Sequence, residues 1–92
     1  MSILKNKSSL GTLVISKAGR DIGELFIIIG ILDDKYVFIS NGSQRSIEKP
    51  KKKKIKHLEF TSIVAEQIRD TIISDKQLTN SMVKKFLIST SK

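Results

Sequence analysis

The sequence predicts a mainly β protein with an α-helical tail: a small β-barrel over residues 10–60, then two short C-terminal helices within 61–92. Three observations carry that prediction. Apolar runs rich in Ile, Val and Phe recur at short intervals from Leu10 to Phe60, divided by glycines and polar turns, a spacing that favours a small barrel over an open sheet. Beyond Phe60 the apolar period lengthens to that of helices. With 92 residues, the chain is a single domain that buries only about 60–65% of its unfolded surface, so its core has to be compact. Closing the sheet also removes sticky strand edges.

Residues 1–9 are polar and basic and read as a flexible basic arm. The first strand covers residues 12–17. It leads into a loop, Lys17-Ala-Gly-Arg-Asp-Ile-Gly23, whose Gly19 and Gly23 allow positive φ or close backbone approach. Residues 24–32 form the second strand, apolar almost throughout, as expected of a strand buried on both sides or strongly curled. Gly30 inside it is a natural place for a bulge. Asp33-Asp34-Lys35 is a turn, and residues 36–40 are the third strand. Asn41-Gly42 is a hairpin signal leading to a fourth strand near residues 44–48. A basic loop over 49–54, with Pro50 and four lysines, interrupts it, and residues 55–60 resume as a strand. Phe26, Phe60 and Phe86 are assigned to the core; for Tyr36 and Phe38 core packing is favoured over the alternative, stacking on bases as in single-strand binders.

In the tail, Thr61 or Ser62 is expected to cap a helix containing Ile63, Val64, Ile68, Ile72 and Ile73. A second helix starts at Thr79 as N-cap, with Leu78 and Val83 forming a hydrophobic staple. Met82, Val83, Phe86 and Leu87 supply its apolar face. Two short amphipathic helices of this kind need the barrel or a partner to pack on.

Composition excludes several functions. The chain has no cysteine, so disulfides, thiolate metal sites and thiol catalysis are all absent. His57 is the single histidine and has no acidic cluster around it, so no metal site is expected. Asp33 and Asp34 lack a nucleophile nearby, and nothing assembles an active site: neither catalytic residues nor a cofactor are expected. No apolar run reaches the roughly 20 residues of a membrane-spanning helix, and the N-terminus lacks the apolar stretch of a signal peptide. A cytoplasmic protein, free of membranes, is the expectation; the sequence leaves the oligomeric state open, with a monomer favoured.

The net charge of +8 is concentrated. Arg45, Lys49, Lys51, Lys52, Lys53, Lys54 and Lys56 stand against Glu48 alone, and a focused patch of this kind points to a polyanion. Lys17 and Arg20, on a loop anchored between two strands, can meet a phosphate without losing much chain entropy. Asp21 is also able to pair locally with either cation, as an exposed bridge worth about 0–1 kcal/mol.

The strand–loop–strand segment resembles the KOW motif of several ribosomal proteins and transcription elongation factors. Val14, Ile15, Lys17, Gly19, Arg20, Gly23, Phe26 and Ile28 stand at its positions, with Gly23 as the key glycine. The continuation through Asn41-Gly42, Arg45, the lysine run and Ile55-Lys-His-Leu58 is similar to one KOW family in particular. This comprises large-subunit ribosomal proteins of eukaryotes and archaea with an N-terminal SH3-like barrel, together with small bacterial relatives. The resemblance spans about residues 10–60 and implies an SH3-like barrel that binds ribosomal or structured RNA. Ile22 and Glu24 depart from the pattern, where relatives often carry a basic residue before the key glycine.

The function expected is therefore RNA binding, ribosome-associated, with phosphates gripped by Lys17, Arg20, Arg45, Lys49, Lys51, Lys52, Lys53, Lys54, Lys56 and His57. Gly19 and Gly23 shape the loop. Lysines of this kind position on the backbone and carry little base information. The alternative is a protein-interaction module that docks on ribosomal or transcription machinery through the barrel and the helices, with Ile22 and Glu24 in the interface.

Overall fold

The first four strands alternate in direction because each connection between them is too short for a crossover, and the fifth returns antiparallel to the first. The computed structural model describes residues 9–90; the expected arm, apart from Ser9, lies outside them. The strands are β1 (Thr12–Ser16), β2 (Leu25–Ile31), β3 (Tyr36–Ser40), β4 (Lys51–Lys54) and β5 (Leu58–Val64). Helices α1 (Glu66–Ile73) and α2 (Asn80–Thr90) follow, and a single 3₁₀ turn, Ile55–His57, joins β4 to β5. The sheet is antiparallel, in the order β4-β3-β2-β1-β5. It forms a small barrel-like domain followed by helices, as expected.

The apolar run of β2 is buried on both faces. Phe26 and Ile28 join Leu10, Val14, Val37, Ile39 and Leu58 in an inner cluster. Ile27 joins Leu13, Ala65, Ile68 and Val83 on the opposite face, where Leu78, Met82, Phe86 and Leu87 of the helical tail pack. The pleat sends alternate residues to opposite faces, so one strand serves both cores. The β2–β3 register shifts between Ile28 and Gly30, which confirms the bulge. A side chain at position 30 would meet Phe38 at 3.3 Å.

Several expectations are corrected. The fourth strand is the lysine run itself, not residues 44–48, so the expected loop over 49–54 is largely strand. Lys51–Lys54 pair residue by residue with Ile39–Tyr36, and cross-strand pairing overrides the poor β propensity of lysine. Asn41-Gly42 opens no hairpin. It begins a longer connection in which Asn41 Oδ1 accepts the N–H groups of Ser43 and Arg45. Gly42, at φ +74°, packs so tightly on α2 that an added Cβ would stand 2.5 Å from the Asn80 carbonyl oxygen.

β5 runs past the expected boundary to Val64. Thr61, Ile63 and Val64 favour extended backbone through their β-branching, and Thr61 Oγ1 donates to the Leu13 carbonyl at 2.7 Å. The first helix accordingly starts at Glu66, after an Ala65 N-cap that makes no side-chain bond. Phe60 is 41% exposed rather than in the core, and Tyr36 and Phe38 are half-buried on the face of β3 opposite Val37 and Ile39. Thr79 does cap α2: its Oγ1 accepts the Met82 N–H at 3.2 Å.

Candidate nucleic-acid interface

The loop between β1 and β2 is closed by its own backbone. Gly23 N–H donates to the Ser16 carbonyl at 2.8 Å, Ser16 N–H to Glu24 at 3.0 Å, and Glu24 N–H to Asp21 at 3.0 Å. Gly19 and Gly23 hold φ of +87° and +86°, the left-handed conformation that side chains disfavour. Nothing lies within 4 Å of a side chain placed at Gly23, so only its backbone conformation calls for glycine.

This closure turns Asp21 inward, to 7% exposure. Its Oδ1 accepts from Ser16 Oγ at 2.7 Å and from Lys53 Nζ at 3.1 Å, and its Oδ2 from Lys51 Nζ at 3.1 Å. Lys53 Nζ also donates to the Ala18 carbonyl at 2.7 Å. Burial alone would raise the Asp21 pKa. The hydrogen bonds from Ser16, Lys53 and Lys51, with the charge of Lys53, more than offset it and hold the carboxyl well below its ordinary value. Asp21 thus pairs with lysines 30 and 32 residues away and not, as expected, with Lys17 or Arg20 on its own loop. These are the two ion pairs among the described residues.

The pairing divides the lysine run by the strand period of two. Lys51 and Lys53 stand opposite Ile39 and Val37 and share their inner face; Lys53 is 6% exposed. Lys52 and Lys54 stand opposite Phe38 and Tyr36 on the outer face. Lys52 Nζ lies 5.1 Å from the centroid of the Tyr36 ring, within cation–π range.

The other expected residues fall into two groups. Lys17, Arg20, Lys56 and His57 are exposed, and the Lys17 N–H donates to the His57 carbonyl at 2.8 Å. The loop and the 3₁₀ turn therefore adjoin, and the turn follows directly on Lys54 of β4. Arg45 and Lys49 are exposed on the connection between β3 and β4. Asn80, at the start of α2, fastens that connection: its Oδ1 accepts the Ile47 N–H at 2.8 Å and its Nδ2 donates to Glu48 Oε1 at 2.9 Å. That bond lowers the Glu48 pKa. Arg45 and Lys49 thus stand outside the Asp21 cluster.

Sequence reasoning missed Asp21 as the organiser of the site. The only local signal was an acid alone among the basic residues of a glycine-closed loop. Among the described residues, no group of three or more His, Cys, Asp or Glu side chains could hold a metal ion, and no helix is long and apolar enough to cross a membrane.

No family model matches the chain. It is 36% identical over 52 residues to the Large ribosomal subunit protein eL14 of Desulfurococcus amylolyticus, a match covering 56% of this chain and 54% of that protein. The chain thus spans about half the length of the curated relative it matches, and over that half it is a partial homologue of an archaeal large-subunit ribosomal protein.

Proposed function

We propose that this protein binds structured RNA in association with ribosomes, as a non-enzymatic component held by phosphate contacts. The similarity to a large-subunit ribosomal protein carries the reading, and the KOW-like pattern of residues 10–60 and the placement of charge support it. Lys52, Lys54 and Lys56 of β4 and the 3₁₀ turn, with Lys17, Arg20 and His57 beside them, form the main gripping surface. Arg45 and Lys49 extend it toward α2. Lys51 and Lys53 contribute mainly by building the barrel wall, since Asp21 engages both ammonium groups. Backbone-directed contacts of this kind recognise the shape of folded RNA more than its sequence.

Filter binding with a structured ribosomal RNA fragment across a salt titration tests the reading. Neutralisation of five to seven phosphates gives a slope of log K on log salt of about −4 to −6. Binding that is absent, flat with salt, or equalled by heparin would overturn it. A second reading, docking on a ribosomal protein, draws on Ile22, which is 64% exposed at the loop. Charge reversal of Lys52 and Lys54 together separates the two: loss of ribosome co-sedimentation supports RNA contact, and retention supports a protein partner.

A further inference from the structure

Beside the outward lysines of β4 lies an open groove of about 510 Å³, lined by Asp34, Lys35, Tyr36, Lys54, Ile55 and Lys56. Its composition differs from that of a plain phosphate patch. Tyr36 and Ile55 give it an apolar floor, three lysines give it a basic rim, and Asp34 adds a single acceptor. The ammonium of Lys52 stands over the Tyr36 ring, so positive charge adjoins the aromatic surface itself.

The groove is also built before any ligand arrives. Asp33 Oδ1 accepts the N–H groups of Lys35 and Tyr36, each at 2.8 Å, which fixes the turn before β3. The Ile55 N–H donates to the Lys35 carbonyl at 2.8 Å, which ties the opposite wall to that turn. A pre-formed site loses less entropy on binding.

We infer that this groove holds one unpaired nucleotide of an RNA, its base stacked on Tyr36 and its phosphates on Lys35, Lys54 and Lys56. An aromatic face beside a cationic track is the arrangement single-stranded nucleic acid requires. A fully paired helix hides its base faces, so the groove gives the protein a preference for loops, bulges or ends. Asp34 accepts a hydrogen bond from a base N–H group, while the lysines donate to phosphate. The inference rests on the RNA-binding reading and adds to it a contact that phosphate neutralisation alone does not supply.

Tyr36 is the only tyrosine, and the chain has no tryptophan, so intrinsic fluorescence reports this groove directly. Titration with a hairpin carrying an unpaired loop is expected to quench it saturably. A blunt duplex of equal charge and inorganic polyphosphate are expected to leave it nearly unchanged. Tyr36→Leu is expected to weaken binding of the looped RNA about 5- to 100-fold with the salt slope preserved, because the number of phosphates neutralised stays the same. Tyr36→Phe keeps the stacking ring and is expected to retain wild-type affinity.

Salt-dependent RNA binding without quenching, and with Tyr36→Leu silent, overturns the nucleotide site while the electrostatic reading stands. Equal quenching by polyphosphate or by the duplex likewise overturns it. Equal affinity for a free nucleoside monophosphate overturns its assignment to RNA. Absence of all RNA binding removes both readings.

Discussion

Replace Asp21 by alanine, and Lys53 keeps its charge but loses its carboxylate partner. Its side chain is 7% exposed, against 25% for Lys51. Lys51 can turn toward water when the carboxylate is gone; Lys53, facing the inner core, retains only the Ala18 carbonyl. Breaking a buried pair from one side costs about 3–5 kcal/mol, because a desolvated charge is left behind. A domain of 92 residues has a total stability of about 5–14 kcal/mol, at about 0.05–0.15 kcal/mol per residue. Asp21→Ala therefore removes a large fraction of it. Lys53→Met leaves the carboxylate with Ser16 and Lys51 and is expected to cost about 1–2 kcal/mol. The double variant Asp21→Ala/Lys53→Met removes both charges, so it is expected to be more stable than Asp21→Ala alone, with a coupling of about 2–3 kcal/mol. Urea unfolding at neutral pH, followed by far-UV circular dichroism, measures all three. An Asp21→Ala cost below about 1 kcal/mol, or a double variant no more stable than Asp21→Ala, would refute a buried pair as the closure of this barrel.

The lowered pKa of Asp21 gives its contribution a pH sign. Stability is fully present above the unfolded carboxyl value near 3.8 and is lost as pH falls toward the folded value. The gap between wild type and Asp21→Asn in urea melts should therefore be constant from pH 5 to 7 and narrow below about pH 4. Gly42→Ala, with a Cβ 2.5 Å from the Asn80 carbonyl oxygen as well as a positive φ, should cost more than Gly23→Ala. The latter meets open space and carries only the backbone penalty of about 1–2 kcal/mol; thermal melts of the two rank them. Lys52→Glu with Lys54→Glu should remove most RNA affinity in filter binding and leave the melting temperature within a few degrees. Lys53→Glu should unfold the domain, because it places a second carboxylate against Asp21 in the inner face.

Much of this architecture was legible in local pattern. The unbroken apolar run from Leu25 announced a strand covered on both faces. Gly30 marked its bulge, Gly19 and Gly23 marked the positive-φ corners, and Thr79 marked the start of the second helix. What escaped were features determined at a distance. Nothing in four consecutive lysines favours a strand; the pairing with β3 and the carboxylate of Asp21 create it, and local propensity contains neither. The first helix was anticipated too early because Ile63 and Val64 fit a helical face and a β ladder equally well, and only pairing with β1 decides between them. Phe60 was assigned inside on hydrophobicity alone, yet it sits on the edge strand where less of the chain covers it. At the candidate site, the cations were legible by type. Which of them face outward was not, since that depends on the pleat of a strand the local pattern did not reveal.

A strand of four identical side chains has one more consequence. Neighbouring strands ordinarily keep their alignment because a slip by one residue exchanges apolar and polar side chains. In β4 that safeguard is void: shifted by one, a lysine still faces Asp21 and a lysine still faces water. The alignment has to be held from the two ends, where Pro50 closes the run and the Ile55 N–H is fastened to Lys35. The chemistry of this surface is thus repetitive, and its spatial address is written in the residues that flank it.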